Sequence, residues 1–393
     1  MNQLSLSIFN LIVELGTVQG IVMALVLYFL PVKINSKTLF GFILLTLAML
    51  SFKILLHTLN LWNLALFHFF PLAIDTTLPP LLYLYICSIT KVEIKGKKII
   101  LYFIPTIVFM LYAVVVYISA FTIQDTEIKD QLAKRLLFNQ VKDIEDFIAV
   151  ISAIFYWLSG YKRINRYRKW LFNTQSDTRL QEFTWLKNML IISGIMVLFL
   201  TIVVLLEDIS TGGPHHFIHL QIFYTYLALI TYYLSLKGYS LYSFFKPVNL
   251  ISENLTSPQF TDTIPDDYLP KDSTVREENG DYLIIKAAIL NSLENDRIYL
   301  NPELNIKQMA QHIGYPLGVV SVAINQGFGM NFRNLVNQYR VNEFKERSVG
   351  PPSHLSLFGI ASECGFNSEA SFFRIFRQET GLSPSDYIQK NRD

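Results

Sequence analysis

Cysteine is scarce: Cys87 and Cys364 are the only two in 393 residues, and they lie in different regions of the chain. They cannot form a disulfide framework or a thiolate zinc site, and a cytosolic Cys364 stays reduced. Charge is also scarce. Asp, Glu, Lys and Arg make up 16% of the residues against 51% hydrophobic, and mean hydropathy is +0.34. That balance points away from an ordinary soluble protein. The first apolar run lacks a basic leader, is too long for a secretory signal and is followed by further runs. Catalytic signatures are missing as well: there is no nucleophile elbow, phosphate loop, HExxH or CxxC. The chain is therefore read as a non-enzyme that requires no metal and no cofactor.

The hydrophobic excess is concentrated before Lys246. Seven long apolar stretches stand there, near 8–30, 38–60, 64–90, 99–121, 142–161, 186–207 and 217–237. Each approaches or exceeds the ~20 residues that cross hydrocarbon as a helix. Alternate loops carry 15 Lys and Arg against 4 on the other side, with Lys53 inside a span. Basic loops stay in the cytoplasm. The N-terminus is then outside, and everything after the seventh span is inside, where DNA lies. The expected location is the cell inner membrane, with multiple crossings. The run Tyr161 to Trp170, YKRINRYRKW, fits topology and attraction to membrane lipids.

Ionisable residues inside spans are costly and face a bundle interior. Glu14, Lys53, His57 and Asp75 come from the first three spans and form a candidate ligand site for an unknown small ligand. Lys53 and His57 are four apart, on one helix face. A fixed ion pair that sets packing is the structural alternative. Pro79-Pro80 is expected to kink the third span. Asp143, Glu145 and Asp146 open the fifth span, either as a solvated helix start or as a seat for a cation or basic ligand. His215, His216 and His219 in PHHFIH could hold zinc only with a third partner from elsewhere.

From Pro247 to Gly280 the apolar pattern stops. Prolines recur, and 7 acidic residues stand against 2 basic ones. This reads as a flexible acidic linker. An apolar face at Leu283, Ala287, Leu290 and Leu293 then marks an amphipathic helix.

Beyond it, one pattern is written twice. Met309 to Phe332 reads MAQHIGYPLGVVSVAINQGFGMNF, and Ile360 to Pro384 reads IASECGFNSEASFFRIFRQETGLSP. Ala310 and Gly314 recur as Ala361 and Gly365 after 51 residues, and Gly329 as Gly381 after 52. In each copy a short helix with a small inward residue meets a glycine turn and a crossing helix, capped in the second copy by Asn367 or Ser368. That is the helix-turn-helix layout, whose second helix enters the DNA major groove. Between the copies, NFRNLVNQYRVNEFKERS is helical by period.

The two units, their separation and the ending ETGLSPSDYI resemble the DNA-binding domain of AraC/XylS-type transcription regulators, in a membrane-anchored form. The resemblance covers about Tyr282 to Gln389 and implies an all-α domain in which the joining helix is a rigid spacer between two reading heads. It also implies a double-stranded promoter DNA partner and a possible homodimer on repeated half-sites. In the second unit, Ser368, Glu369, Ala370, Phe373, Arg374 and Arg377 project away from the packed Phe372, Ile375 and Phe376. Arg374 is the best base-reader, since arginine grips guanine through two hydrogen bonds. Arg377 and Ser368 suit phosphate contacts. In the first unit the surface includes Ser321 and Val322, with Asn325 and Gln326 as its polar reach. The family commonly has polar or basic residues here, so this unit is expected to read shape more than bases. Residues 281–393 carry 11 basic and 11 acidic side chains, so a positive patch must come from local clustering.

The fold class read from all this is all-α: a seven-helix transmembrane bundle (1–246), an acidic flexible linker (247–280) and a cytoplasmic tandem helix-turn-helix domain (281–393). The function is that of a membrane-embedded one-component transcription regulator. The alternative is a transporter or channel with a C-terminal regulatory or protein-docking domain, although no inverted repeat is seen among the spans.

Overall fold

The computed structural model describes residues 3–31, 35–90, 96–176, 184–209, 218–243, 281–349 and 355–392. The acidic linker, His215 and His216 lie outside the described residues, as does the side chain of His219. The structure is helical. Among the described residues the sole β-pairing is an isolated antiparallel bridge between Gln175 and Asn305. Contacts divide the chain into two units: Met1–Ile164 with Trp185–Phe260, and Asn165–Thr184 with Thr261–Asp393.

In the first unit, α1 (Gln3–Phe29) packs along α2 (Asn35–Thr58) and α9 (Ile218–Ser243). The approach is close because small residues stand at the crossing. A Cβ on Gly16 would lie 2.9 Å from the Cβ of Ala228, and one on Gly20 3.0 Å from Thr231. Small residues at helix crossings give van der Waals packing where the hydrophobic effect between helices is weak. The outward face of α1 is apolar: Leu11, Leu15, Val18, Val22 and Leu25 are each about half exposed. The same holds for Ile107, Leu111, Val115 and Ile118 on α5 (Ile104–Ala120), and for Phe147, Ile151 and Ile154 on α7 (Phe138–Thr174).

Three helices among the described residues are long and apolar enough to cross a membrane: Ser7–Phe29, Asn35–Thr58 and Phe138–Thr174. A seven-helix crossing bundle is not established. Residues 64–90, expected as one span, contain only α3 (Leu78–Ile89), after a stretch of turns and a 3-10 turn at Leu61–Asn63. Twelve residues reach about 18 Å, well short of a ~30 Å hydrocarbon core. Pro79 and Pro80 do not kink a helix. They stand in the first turn of α3, where a missing N–H costs nothing. The stretch 99–121 is likewise divided, into α4 (Gly96–Tyr102) and α5, with Pro105 in the first turn of the second piece. A short polar helix, α6 (Thr126–Arg135), precedes α7, and α8 (Thr184–Ile209) and α9 have 26 residues each.

In the second unit, α10 (Asp281–Glu294) buries Ile285, Ile289 and Leu293 against α11 (Ile306–Ile313) and α12 (Leu317–Gly327). The spacer α13 (Phe332–Val349) contributes to two cores. Phe332, Leu335 and Val336 close the first, whereas Val341 and Phe344 enter the second with α14 (Leu357–Glu363), α15 (Glu369–Thr380) and α16 (Pro384–Arg392). Each helix-turn-helix unit thus has its own core, and one helix runs through both.

Candidate nucleic-acid interface

Helix starts set the geometry. Asn305 and Gln308 form a reciprocal capping box at α11, which satisfies two of the amide N–H groups that a helix start leaves open. Ser356 caps α14, and the Ser368 hydroxyl accepts from the Ser371 amide to cap α15. Of the two predicted caps, Ser368 is the one used. Gly314, Gly329, Gly365 and Gly381 all have positive φ, as their repetition implies.

On α15 the inward side is aromatic. Phe372 and Phe376 are fully buried, and Phe372 stands 4.6 Å from the Phe344 ring of α13. Glu369, Ala370, Arg374 and Arg377 are exposed. Ala370, Arg374 and Arg377 fall at i, i+4 and i+7, one stripe of the helix. Phe373 does not project as expected. It is half-buried and packs on the second core, because a phenyl ring on the flank of a short helix gains more from apolar neighbours than from water. The Ser368 oxygen accepts the capping bond, which leaves its O–H to donate to a phosphate.

The first unit presents a poorer surface. Pro316 precedes α12 without a side-chain cap, while Gly318, Val319 and Gln326 are exposed. Ser321 and Val322 are half-buried. The Asn325 amide donates at 2.9 Å to the Ser321 carbonyl of its own helix. Asn325 is thus folded back rather than reaching outward, and of the two expected polar contacts only Gln326 points into solvent.

Sequence reasoning did not anticipate the joint between the heads. Glu343 on α13 is buried and accepts from Tyr299 at 2.8 Å, from Arg347 at 2.6 Å and from Arg297. Arg347 also bonds Glu363 of α14 at 2.9 Å. Burial pushes the Glu343 carboxyl up, but the hydrogen bonds from Arg297, Arg347 and Tyr299 outweigh it and hold the group below the ordinary carboxylate range. Burial pushes the Cys364 thiol up to about 12, so it is an inert core group. The i, i+4 pair Glu343–Arg347 was readable on α13; its partners from other elements were not.

In the first unit, two of the four candidate ligand residues meet. Lys53 Nζ lies 2.5 Å from Asp75 Oδ2. Lys142 joins them, 2.8 Å from Asp75, 2.9 Å from Glu145 and 2.7 Å from Asp146. The three carboxylates come within 4.8 Å of one another, as metal ligands would. The Lys142 ammonium bonds all three, so an internal cation already matches part of their charge. Glu145 Oε1 is buried with no hydrogen-bond partner among the described residues. Glu14 takes no part in this network. His57, one turn beyond Lys53, stacks on Trp62 at 4.8 Å instead. Sharing a helix face was not enough to bring His57 to the charges, because the turn after α2 carries Trp62 back over the ring.

Residues 309–390 match a family model described as a helix-turn-helix domain. The match covers both units and the spacer. No curated protein and no solved structure matches the chain. The match supports an AraC-type domain that binds double-stranded DNA, and hence a DNA-binding transcription regulator.

Proposed function

We propose that the chain is a membrane-embedded one-component regulator that binds promoter DNA through both helix-turn-helix units. The observation that carries this reading is the pairing of two features in one chain. Helices with outward apolar faces precede a domain in which Arg374 and Arg377 stand exposed on a reading helix. Apolar stripes of this extent would each forfeit about 25 cal/mol per Å² in water, and lipid is the solvent that suits them.

In this reading α15 supplies base contacts and α12 supplies mainly shape readout. The tether 247–280 connects the two parts, and the basic side of the membrane region faces the cytoplasm. Self-association on repeated half-sites completes the assembly. The network of Lys53, Asp75, Lys142 and Glu145 is the candidate input. A ligand or membrane signal acts there by favouring one of two states.

The test is to purify the full chain in detergent, challenge it with fragmented genomic DNA and sequence what is retained. A recurrent motif with two half-sites is expected. Affinity should fall steeply with salt, with a slope of about −0.9 per neutralised phosphate. Random retained sequence, or affinity indifferent to salt, overturns the proposal.

A further inference from the structure

Arg340 of α13 is the largest fully buried side chain described, at 2% exposure. Its guanidinium donates at 2.8 Å to the Tyr299 carbonyl and at 2.7 Å to the Asn301 carbonyl, both on the segment leading into the first head. The second head arrives on the other side. A Cβ on Gly365 would lie 2.8 Å from Arg340 Nε and 2.6 Å from the Tyr299 oxygen. Asn367 donates at 2.9 Å to the Pro302 carbonyl of the same segment. Arg340 therefore sits at the joint that sets how the two heads face DNA.

A third party reaches this joint. Ser176, 128 positions before Leu304, is buried at 3% exposure. Its amide and hydroxyl both donate to the Leu304 carbonyl, at 3.3 and 2.5 Å. Arg340 Nη2 donates to the same hydroxyl at 3.3 Å. Gln175 pairs antiparallel with Asn305, the cap of α11. Phe172 lies under the guanidinium of Arg333, 4.6 Å from it. Arg333 and Arg340 are seven residues apart, two turns along one face of α13. Residues 172–176 thus touch the first head and the spacer together, through backbone pairing, a buried hydroxyl and a cation–π contact. Phe172 and Thr174 still belong to α7, which runs unbroken back to Phe138.

We propose that Phe172–Ser176 is a resident brace of the joint between the two heads, and the point at which α7 acts on DNA binding. The proposal rests on the DNA-binding reading above for its consequence, but not for the contact itself. Docking holds α13 against the start of α11 and so fixes the spacing of the heads. Undocking leaves each head folded on its own core and lets their relative orientation wander. Binding to a DNA segment long enough to engage both heads of one chain then weakens, while binding to the shorter segment read by one head does not.

The contact is tested in membranes with the full chain carrying Gln175→Cys and Asn305→Cys. Paired antiparallel residues have Cα atoms about 4.5–5.5 Å apart, within disulfide range. Native Cys87 and Cys364 are buried. Mild oxidation should close the new pair and leave each single-cysteine chain unlinked. Failure to close overturns the brace. The consequence is tested with Ser176→Ala and Phe172→Ala in the full chain, on a DNA fragment recovered as above. Affinity for the segment that engages both heads should fall about three- to tenfold, the scale of one or two hydrogen bonds, with the segment read by one head bound as by wild type. Ser176→Thr keeps the hydroxyl and should retain affinity. Unchanged binding to the two-head segment overturns the proposed control, and so does an equal loss on the segment read by one head. A wild-type chain that retains no DNA removes the functional reading, while the cross-link still decides the contact.

Discussion

Arg374 stands exposed on α15, whereas Arg340 is buried under three oxygen acceptors. The same side chain serves recognition in one place and architecture in the other, because a guanidinium can either face a base edge or saturate buried carbonyls. Arg374→Ala is expected to cost roughly 1–3 kcal/mol of operator affinity and to relax specificity at one base position. Binding to a panel of single-base operator variants checks this; an equal loss on every sequence would make Arg374 a phosphate contact. Two glycines separate strain from crowding. Gly381 has φ +75° and no atom within 4 Å of where a Cβ would stand, so Gly381→Ala should cost only about 1–2 kcal/mol. Gly365 has φ +91° and faces the Tyr299 oxygen at 2.6 Å, so Gly365→Ala should cost roughly 2–5 kcal/mol. Hydrogen exchange of the α15 amides in the two variants ranks them.

At the scale of elements, the two reading helices have diverged in use. Helix α15 has a serine cap, an aromatic underside and two exposed arginines. Helix α12 begins at an uncapped Pro316, and its Asn325 bonds its own backbone. Helix α13 connects them and carries Glu343, whose carboxyl is held below its unfolded value of about 4.3. A depressed carboxylate contributes stability above the unfolded pKa and loses it as pH falls through the folded one. The second unit should therefore weaken as pH drops below about 4.3. Glu343→Gln should lower stability at neutral pH and flatten that acid limb. Thermal unfolding of the full chain followed from pH 7 downward compares the two; parallel curves would show that Glu343 carries no linkage.

For the whole molecule, the proposed function turns on which side of a bilayer each part would occupy. In the proposed reading, the charge bias of the loops puts the end of the apolar region inside. A reporter fused after Lys246 should therefore read cytoplasmic; an external signal would strand the DNA-binding domain away from DNA. The interrupted stretches at 64–90 and 99–121 make this measurement more than a formality. Direct topology mapping of the loops on either side of short helices such as α3 counts the crossings.

Much of the DNA-binding half was legible. Its two glycine turns, inward small residues and aromatic periods are local signals, and local signals survive in sequence because helix caps and helix faces involve residues three or four apart. The spacer helix and the exposure of Arg374 followed from the same periods. The apolar half was legible only as hydropathy. An apolar run does not state where its helix begins, and Pro79-Pro80 could be read as a kink when they form a first turn.

The amino-acid order by itself determined an all-helical chain with apolar helices ahead of a twin helix-turn-helix domain. These properties depend on composition and short-range spacing. Tertiary structure alone decided that Lys142 would meet Asp75, that Arg340 would lie between the heads, and that Ser176 would bond Leu304. Such contacts join residues from about forty to more than a hundred and sixty positions apart, and nothing in the local pattern of either partner encodes the other.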